Sequence, residues 1–461
     1  MAEATRAIPT ELGTEKISKL LKQYAWPAII AQIAASLYNM VDSIYIGHIS
    51  PDAFTGLTVT FPLMNLSVAF GTLVGAGAAT MISILLGQKH YHMGNKVLGN
   101  VVSLNIIIGL LFMFLTLAYI DPILYTLGAT AETIDHARSY ITIVLYGNVI
   151  THLYFGLNAA MRSSGSPKKA MGLTIFTVIF NAVLDPIFIF SLDMGISGAA
   201  WATVIAQFCA MLVVMHHFNN QKRAIHFERG IVRLNWNVAK KSLVIGTGPF
   251  LMNLAACLVA VFINQQLKEY GNDYIGAYGC CNRIIFVFIM ICMGLNQGMQ
   301  PIAGYNYGAK KYTRVKEVFW MTAKIATVVT TTCFIIGMFF PRAACSIFGL
   351  TGDMLDIATD GFRLLSLGFP IVGLQMIGTN FFQSLGLVKK SIILSLSRQM
   401  LVLLPMLFIL PQYLGSDGIW LSFPVSDFIS TILTVILLRR LFKKFNILHD
   451  GDSAQSLDGQ L

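Results

Sequence analysis

Of the 22 acidic residues in this 461-residue chain, only Asp42, Asp185 and Asp427 lie well inside long apolar stretches. A carboxylate at the centre of a bilayer costs roughly 2.5–3.5 kcal/mol on insertion scales, so it marks an ion or substrate pathway by default. Kept from water, it favours its neutral form and takes up a proton; left ionised, it holds a small hard cation such as sodium with neighbouring oxygens. Asp185 has such neighbours. Asn181 stands one helical turn earlier on the same face, and Pro186 lacks the N–H that would occupy the Ala182 carbonyl. Asp42 has Tyr38 and Asn39 on its own face, and Asn158 and Thr203 add polar groups to two further stretches. We read Asp42, Asp185, Asn181, Asn158 and Thr203 as a proton- or cation-coupling set. Transient sodium would sit at Asp42, Asp185 and Asn181, and no structural metal is expected. The competing reading is a satisfied network that only glues helices. Asp427 has no acidic partner in the sequence and stands between coupling and packing. Asn296 and Gln297, with Tyr38, Asn39 and the abundant Met and Phe, are candidates to line a cavity adaptable to apolar cations. His152, the one histidine in mid-stretch, reads as structural.

These groups must be held by helices that cross a bilayer. Hydrophobic residues make up 55% of the chain, charged residues only 12%, and mean hydropathy is +0.67. So few charges cannot cover a soluble protein of this length, which excludes a soluble enzyme, a disordered chain and a disulfide-stapled domain. Stretches long enough to span the hydrocarbon core fall near 25–48, 54–86, 97–120, 138–160, 170–191 and 196–218. A second set follows near 242–267, 275–304, 316–341, 362–385, 390–412 and 418–438. The expected fold is therefore all-α, with twelve transmembrane helices. Spanning barrels are excluded because ten-residue apolar/polar alternation is missing. The expected organisation is an N-terminal segment 1–24, a first lobe 25–218, a linker 219–241, a second lobe 242–438 and a tail 439–461. No cleavable signal peptide is expected, and Ile17–Tyr24 form either a short surface helix or a solvated tail. The seven cysteines lack metal-ligand spacing and read as small buried hydrophobes.

Alternate connections carry 25 of the 32 lysines and arginines, among them Lys89, Lys168, Lys169, Lys310, Lys389 and Lys390. The intervening ones hold acids such as Asp121, Asp135, Asp353 and Asp356. By the positive-inside rule both termini are cytoplasmic, so the net charge of +10 reports topology rather than a nucleic-acid partner. A repeat also emerges at an offset of 221. Gly77, Gly87, Lys89 and Tyr91 meet Gly298, Gly308, Lys310 and Tyr312, and Gly165, Lys168 and Lys169 meet Gly386, Lys389 and Lys390. At an offset of 222, Pro27 meets Pro249 and Asp42 meets the neutral Asn264. Six spans per half make the repeat parallel, an arrangement suited to alternating access around a midplane site. Since no acid replaces Asp42 in spans seven to eleven, ion coupling is expected in the first lobe.

Specific stretches resemble the multidrug and toxic compound extrusion (MATE) transporters. They are Tyr38-Asn-Met-Val-Asp-Ser-Ile-Tyr-Ile-Gly47 with Phe61-Pro62, Gly75-Ala-Gly-Ala-Ala-Thr80, Asn158 to Lys169, Asn181-Ala-Val-Leu-Asp-Pro186, and Gly195 to Thr203. The resemblance runs from about residue 15 to 440. It implies two six-helix lobes in a V shape around a central cavity, and export driven by proton or sodium entry. In the prokaryotic branch it most resembles, the coupling acids map onto Asp42 and Asp185, with Asn158, Asn181 and Thr203 around them. Pro27 matches the first-helix proline at which members of that branch bend. The implied protein is a multi-pass antiporter of a prokaryotic inner membrane, without cofactor, exchanging organic cations for H+ or Na+. Its expected partners are the lipid bilayer and its small-molecule substrates, not nucleic acid. The alternatives are a lipid-linked saccharide flippase, which would favour a cationic cavity although Arg283, Lys324 and Arg398 are the few basic residues inside spans, and an intramembrane enzyme. For the last, no HExxH, GxSxG or paired His/acid cluster is present.

Overall fold

The computed structural model describes residues 9–47, 49–228, 230, 234–348 and 350–452, with side chains except at 37–44, 47, 51 and 272. The chain forms two compact units. One holds Ile30–Phe250 and the segment up to Thr14; the other holds Glu15–Ile29 and the chain from Leu251 onward. The division falls inside helices α2 (Ile17–Gly47) and α10 (Trp236–Lys268), within three residues of Pro27 and Pro249.

The first unit contains α1 (Glu11–Thr14), α3 (Pro51–Gly87), α4 (Tyr91–Ala118), α5 (Ile120–Thr126), α6 (Ile134–Tyr146), α7 (Asn148–Ser163), α8 (Pro167–Pro186) and α9 (Ile196–Asn219). The second repeats that order with α11 (Asn272–Gly308), α12 (Tyr312–Phe339), α13 (Pro341–Ser346), α14 (Gly352–Ser366), α15 (Phe369–Ser384), α16 (Val388–Leu396), α17 (Leu404–Leu414) and α18 (Ser416–Ile447). No β-strand occurs among the described residues. Nine described helices are long and apolar enough to cross a membrane, and the pairs α6/α7 and α14/α15 make two more. With the 31-residue α2, twelve spans result.

The spans expected as single helices at 138–160 and 362–385 are instead bent, by 54° and 55°. Each corner holds a glycine against a neighbouring helix. A Cβ on Gly147 would lie 2.5 Å from Val204 on α9, and one on Gly368 would lie 3.0 Å from Asp427 on α18. The duplication reaches backbone detail. Lys89 and Lys310 share a positive φ of 61° and 58°, in the tight turns before α4 and α12. At the opposite ends of the units, Arg138 bridges Asp121 and Asp135 at 2.7 and 2.9 Å; in the repeat, Arg342 replaces Asp121 and binds Asp356 directly at 2.8 Å. The pair survives an exchange of charges between the copies.

Backbone contact sets the closest packing. In the first unit, a Cβ on Gly77 would meet the Ser242 carbonyl oxygen at 2.0 Å, and one on Gly246 that of Leu73 at 1.7 Å. In the second, Gly294 and Gly298 admit Ile29 and Ala25 of α2 in the same way, both at 2.5 Å. Gly246→Ala should therefore cost about 1–3 kcal/mol of stability through overpacking. Thermal unfolding in detergent should show the loss, whereas Gly172→Ala, with open space around it, should leave the transition in place.

The stretch between α9 and α10 is strapped to α4. Asn95 Oδ1 accepts from the His226 N–H at 3.0 Å while its Nδ2 donates to Glu228 at 2.7 Å, and Asn100 bonds both backbone groups of Asn235. Burial opposes charge on Glu228, but bonds from Asn95 and His92, with the positive charges of His92 and His226, outweigh it and hold the carboxyl below its usual value. A depressed carboxyl stabilises the strap above its unfolded value of about 4.5 and loses that contribution as pH falls through its folded value. Backbone hydrogen exchange at His226, corrected for its intrinsic pH dependence, should lose protection as pH falls through the depressed folded value of Glu228. Equal protection in Glu228→Gln throughout would contradict this.

Candidate functional site

The Asn181–Pro186 stretch closes α8, and the chain runs on through a wide π turn, Ile187–Ser191, without leaving the helical path. Pro186 supplies no N–H to the α-helical ladder, and such turns recur at functional sites. Asp185 is fully buried, and Asn181 and Thr203 are buried beside it. Asn181 Nδ2 donates to Asp185 Oδ1 at 3.2 Å and to Thr203 Oγ1 at 3.4 Å, so one amide joins the carboxylate of α8 to the hydroxyl of α9. The glycines of the 195–203 stretch allow this approach. A Cβ on Gly198 would lie 2.7 Å from the Phe188 backbone, so α9 crosses directly over the π turn.

Asn158 joins a neighbouring group. Its Nδ2 donates to Thr174 Oγ1 at 3.1 Å; the Tyr154 hydroxyl donates to the same oxygen, and Thr177 donates to Tyr154, both at 3.4 Å. Thr174, Thr177, Asn181 and Asp185 thus form one stripe along α8, running from a hydroxyl cluster to the carboxylate. Tyr154, Thr174 and Thr177 were not among the sequence candidates, although steps of three, four and four residues were there to be read. The side-chain oxygens of Asn181 and Asn158 are buried and accept no hydrogen bond among the described residues. An amide oxygen left open beside a carboxylate suits a hard cation, and equally suits a proton shared between carboxyl and amide.

The side chains of Asp42, Tyr38 and Asn39 lie outside the described residues. The backbone of α2 nevertheless brings this region close. Ile46, one turn after Asp42, packs with Ile189, Ile196 and Ala199, and the Tyr45 ring meets Phe190 edge-on at 6.4 Å. The end of α2 therefore abuts the π turn that follows Asp185.

In the second unit, Asp427 is buried on α18 and accepts from Arg398 Nε at 2.7 Å; Ser426 also donates to the Arg398 backbone oxygen. The sequence shows no acidic partner for Asp427; the partner is basic, and Arg398 lies 29 residues earlier on the second π turn, Ser397–Leu403. Asn296 is buried and Gln297 half-buried on α11; they belong to the other unit from Asp185. His152 bonds Ser67, which donates to Asn148, and Asn148 reaches the Gly109 carbonyl. That knits α3, α4 and α7 together, a structural task. No cluster of three metal-ligating side chains occurs among the described residues.

A helical membrane protein built twice from one six-helix unit, with a buried carboxylate, amide and hydroxyl cluster in its first copy, has the architecture of a transporter. The chain belongs to the MatE family, whose model matches residues 27–187 and again 249–409. The two matches are displaced by 222 residues, within one residue of the internal repeat. Multidrug export protein MepA of Staphylococcus haemolyticus is 25% identical over 432 residues, covering 94% of this chain and 95% of that protein. Among solved structures, the MATE multidrug transporter DinF-BH in complex with R6G is 35% identical, with a TM-score of 0.87 over 93% of this chain and 96% of that one. An outward-facing MATE transporter of the MOP superfamily shares the fold at 21% identity, with a TM-score of 0.89 over 95% and 99% of the two chains.

Proposed function

We propose that this protein is a secondary antiporter that exports organic, cationic amphipathic compounds from the cell in exchange for H+ or Na+. The observation that carries this reading is the buried Asp185–Asn181–Thr203 cluster, whose open amide oxygen and carboxylate suit a proton or a small cation. The relatives described as multidrug export proteins and transporters support export of organic compounds. Loading neutralises Asp185 and allows the helices around the π turn to repack against α2. Substrate and ion then exclude each other, and that coupling is reciprocal by linkage. The flippase reading loses support from the Arg398–Asp427 pair, because an arginine committed to a carboxylate is not available to a pyrophosphate.

Expression in a drug-sensitive host should lower ethidium accumulation several-fold, and an uncoupler should abolish the effect. Unchanged accumulation across a panel of lipophilic cations, with movement of an anionic lipid-linked substrate, would favour the flippase. For orientation, cysteines placed at Asp121, Asp353 or Asp417 should react with impermeant reagent on intact cells, and cysteines at Lys168 or Lys389 should not. Reversed labelling would invert the direction of export.

A further inference from the structure

Both units start a membrane helix with the wrong sign of charge. α8 opens with Pro167-Lys168-Lys169 and α16 with Val388-Lys389-Lys390. Neither preceding residue, Ser166 or Leu387, caps the first-turn N–H groups with its side chain. The first turn of a helix carries unpaired donors and the positive end of the dipole, so lysine there is unfavourable unless an anion is shared.

A second helix in each unit brings further donors to the same place. In the first unit, His217 in the last turn of α9 lies within electrostatic reach of Lys169 and Arg223. His217 is only 9% exposed, and its Nε2 and the Nε of Arg223 are buried without a hydrogen-bond partner among the described residues. Burial holds the Arg223 guanidinium below its usual value, the cost expected of a charge awaiting its counter-ion. In the second unit, Lys390 Nζ is likewise buried without a hydrogen-bond partner among the described residues; it lies over the Phe382 ring, 5.6 Å from its centre, and within reach of Lys444 and Arg440 on α18. The adjoining Ser391 hydroxyl, 2% exposed, also has no partner among the described residues. α8 packs on α9 and α16 on α18, so each cluster sits between two helices of its own unit.

We propose that each unit carries a binding site for a phosphate-bearing anion. The first is built from His217, Arg223, Lys169 and the start of α8, and the second from Lys390, Ser391, Arg440, Lys444 and the start of α16. A phosphate accepts hydrogen bonds from the buried donors and the first-turn N–H groups, and its charge offsets the lysines. Basic pockets between membrane helices at the cytoplasmic face recognise acidic headgroups in this way. The first site is separate from the coupling cluster: 16 residues of α8 divide Lys169 from Asp185, about 24 Å along the helix.

The test is native mass spectrometry of the whole protein from mixed micelles containing phosphatidylcholine or phosphatidylglycerol, with melting temperatures measured alongside. The wild type should retain two phosphatidylglycerol molecules in preference to phosphatidylcholine. His217→Gln with Arg223→Gln should lose one and Lys390→Gln the other, with affinity falling about fivefold per charge removed. Melting in phosphatidylcholine alone should be unchanged; if the double variant does not fold, Lys169→Gln, on an exposed side chain, carries the same comparison. Stabilisation by inorganic phosphate without a lipid preference, lost in the same variants, would support the sites with free phosphate as occupant. Equal retention by all variants, or no response to either anion, would overturn the proposal.

Discussion

Asp185→Asn should reduce gradient-driven export to the level of protein-free liposomes while leaving the protein folded and inserted. The amide fills the volume of the carboxylate and its oxygen still accepts from Asn181, which also reaches Thr203, so little packing changes. What is lost is the exchangeable charge. An asparagine neither takes up a proton nor balances sodium, so the cycle has no step at which ion entry is tied to substrate exit. Asp42→Asn should have the same consequence through its partner role. Initial rates in proteoliposomes under separate proton and sodium gradients, normalised to folded protein, check both variants. The gradient that drives the wild type identifies the ion.

The Arg398–Asp427 pair should behave in the opposite manner, failing in stability rather than coupling. Arg398→Met leaves Asp427 as an uncompensated buried carboxylate, a loss of about 3–5 kcal/mol by analogy with broken buried pairs. Adding Asp427→Asn removes that charge, so the double variant should recover most of the loss. Melting temperature and monodisperse yield in detergent measure both. Export per folded molecule should remain near wild type in the double variant. A well-folded Arg398→Met protein that no longer transports would instead place the pair in the mechanism.

The contrast between these carboxylates marks how far the sequence could be read. The bilayer makes much of the fold legible: spans must be long and apolar, loop charges follow topology, and the duplication is written in Gly77/Gly298 and Lys168/Lys389. Asp185 with Asn181 was legible because a helix fixes what lies one turn away. The corners at Gly147 and Gly368 were not, since a glycine in a membrane helix usually means close packing. Only Val204 and Asp427, distant in sequence, make those two glycines corners. The Arg398–Asp427 pair was hidden for the same reason: two helices and a π turn decide that contact, and no periodicity connects positions 29 apart. Thr174 and Thr177 were passed over because hydroxyls are common helix glue, and it is their bonds to Tyr154 and Asn158 that set them in line with Asp185.

The most direct test of first-lobe coupling is the affinity of the purified protein for a fluorescent lipophilic cation, measured across pH 5 to 9 with and without sodium. In the wild type, loading of Asp185 and binding of the cation should compete, so the apparent Kd should rise either as pH falls or as sodium is added. In Asp185→Asn the Kd should be flat along that axis. A Kd in Asp185→Asn and Asp42→Asn that remains as sensitive to pH or sodium as in the wild type, together with full export by both, would contradict coupling through the first lobe.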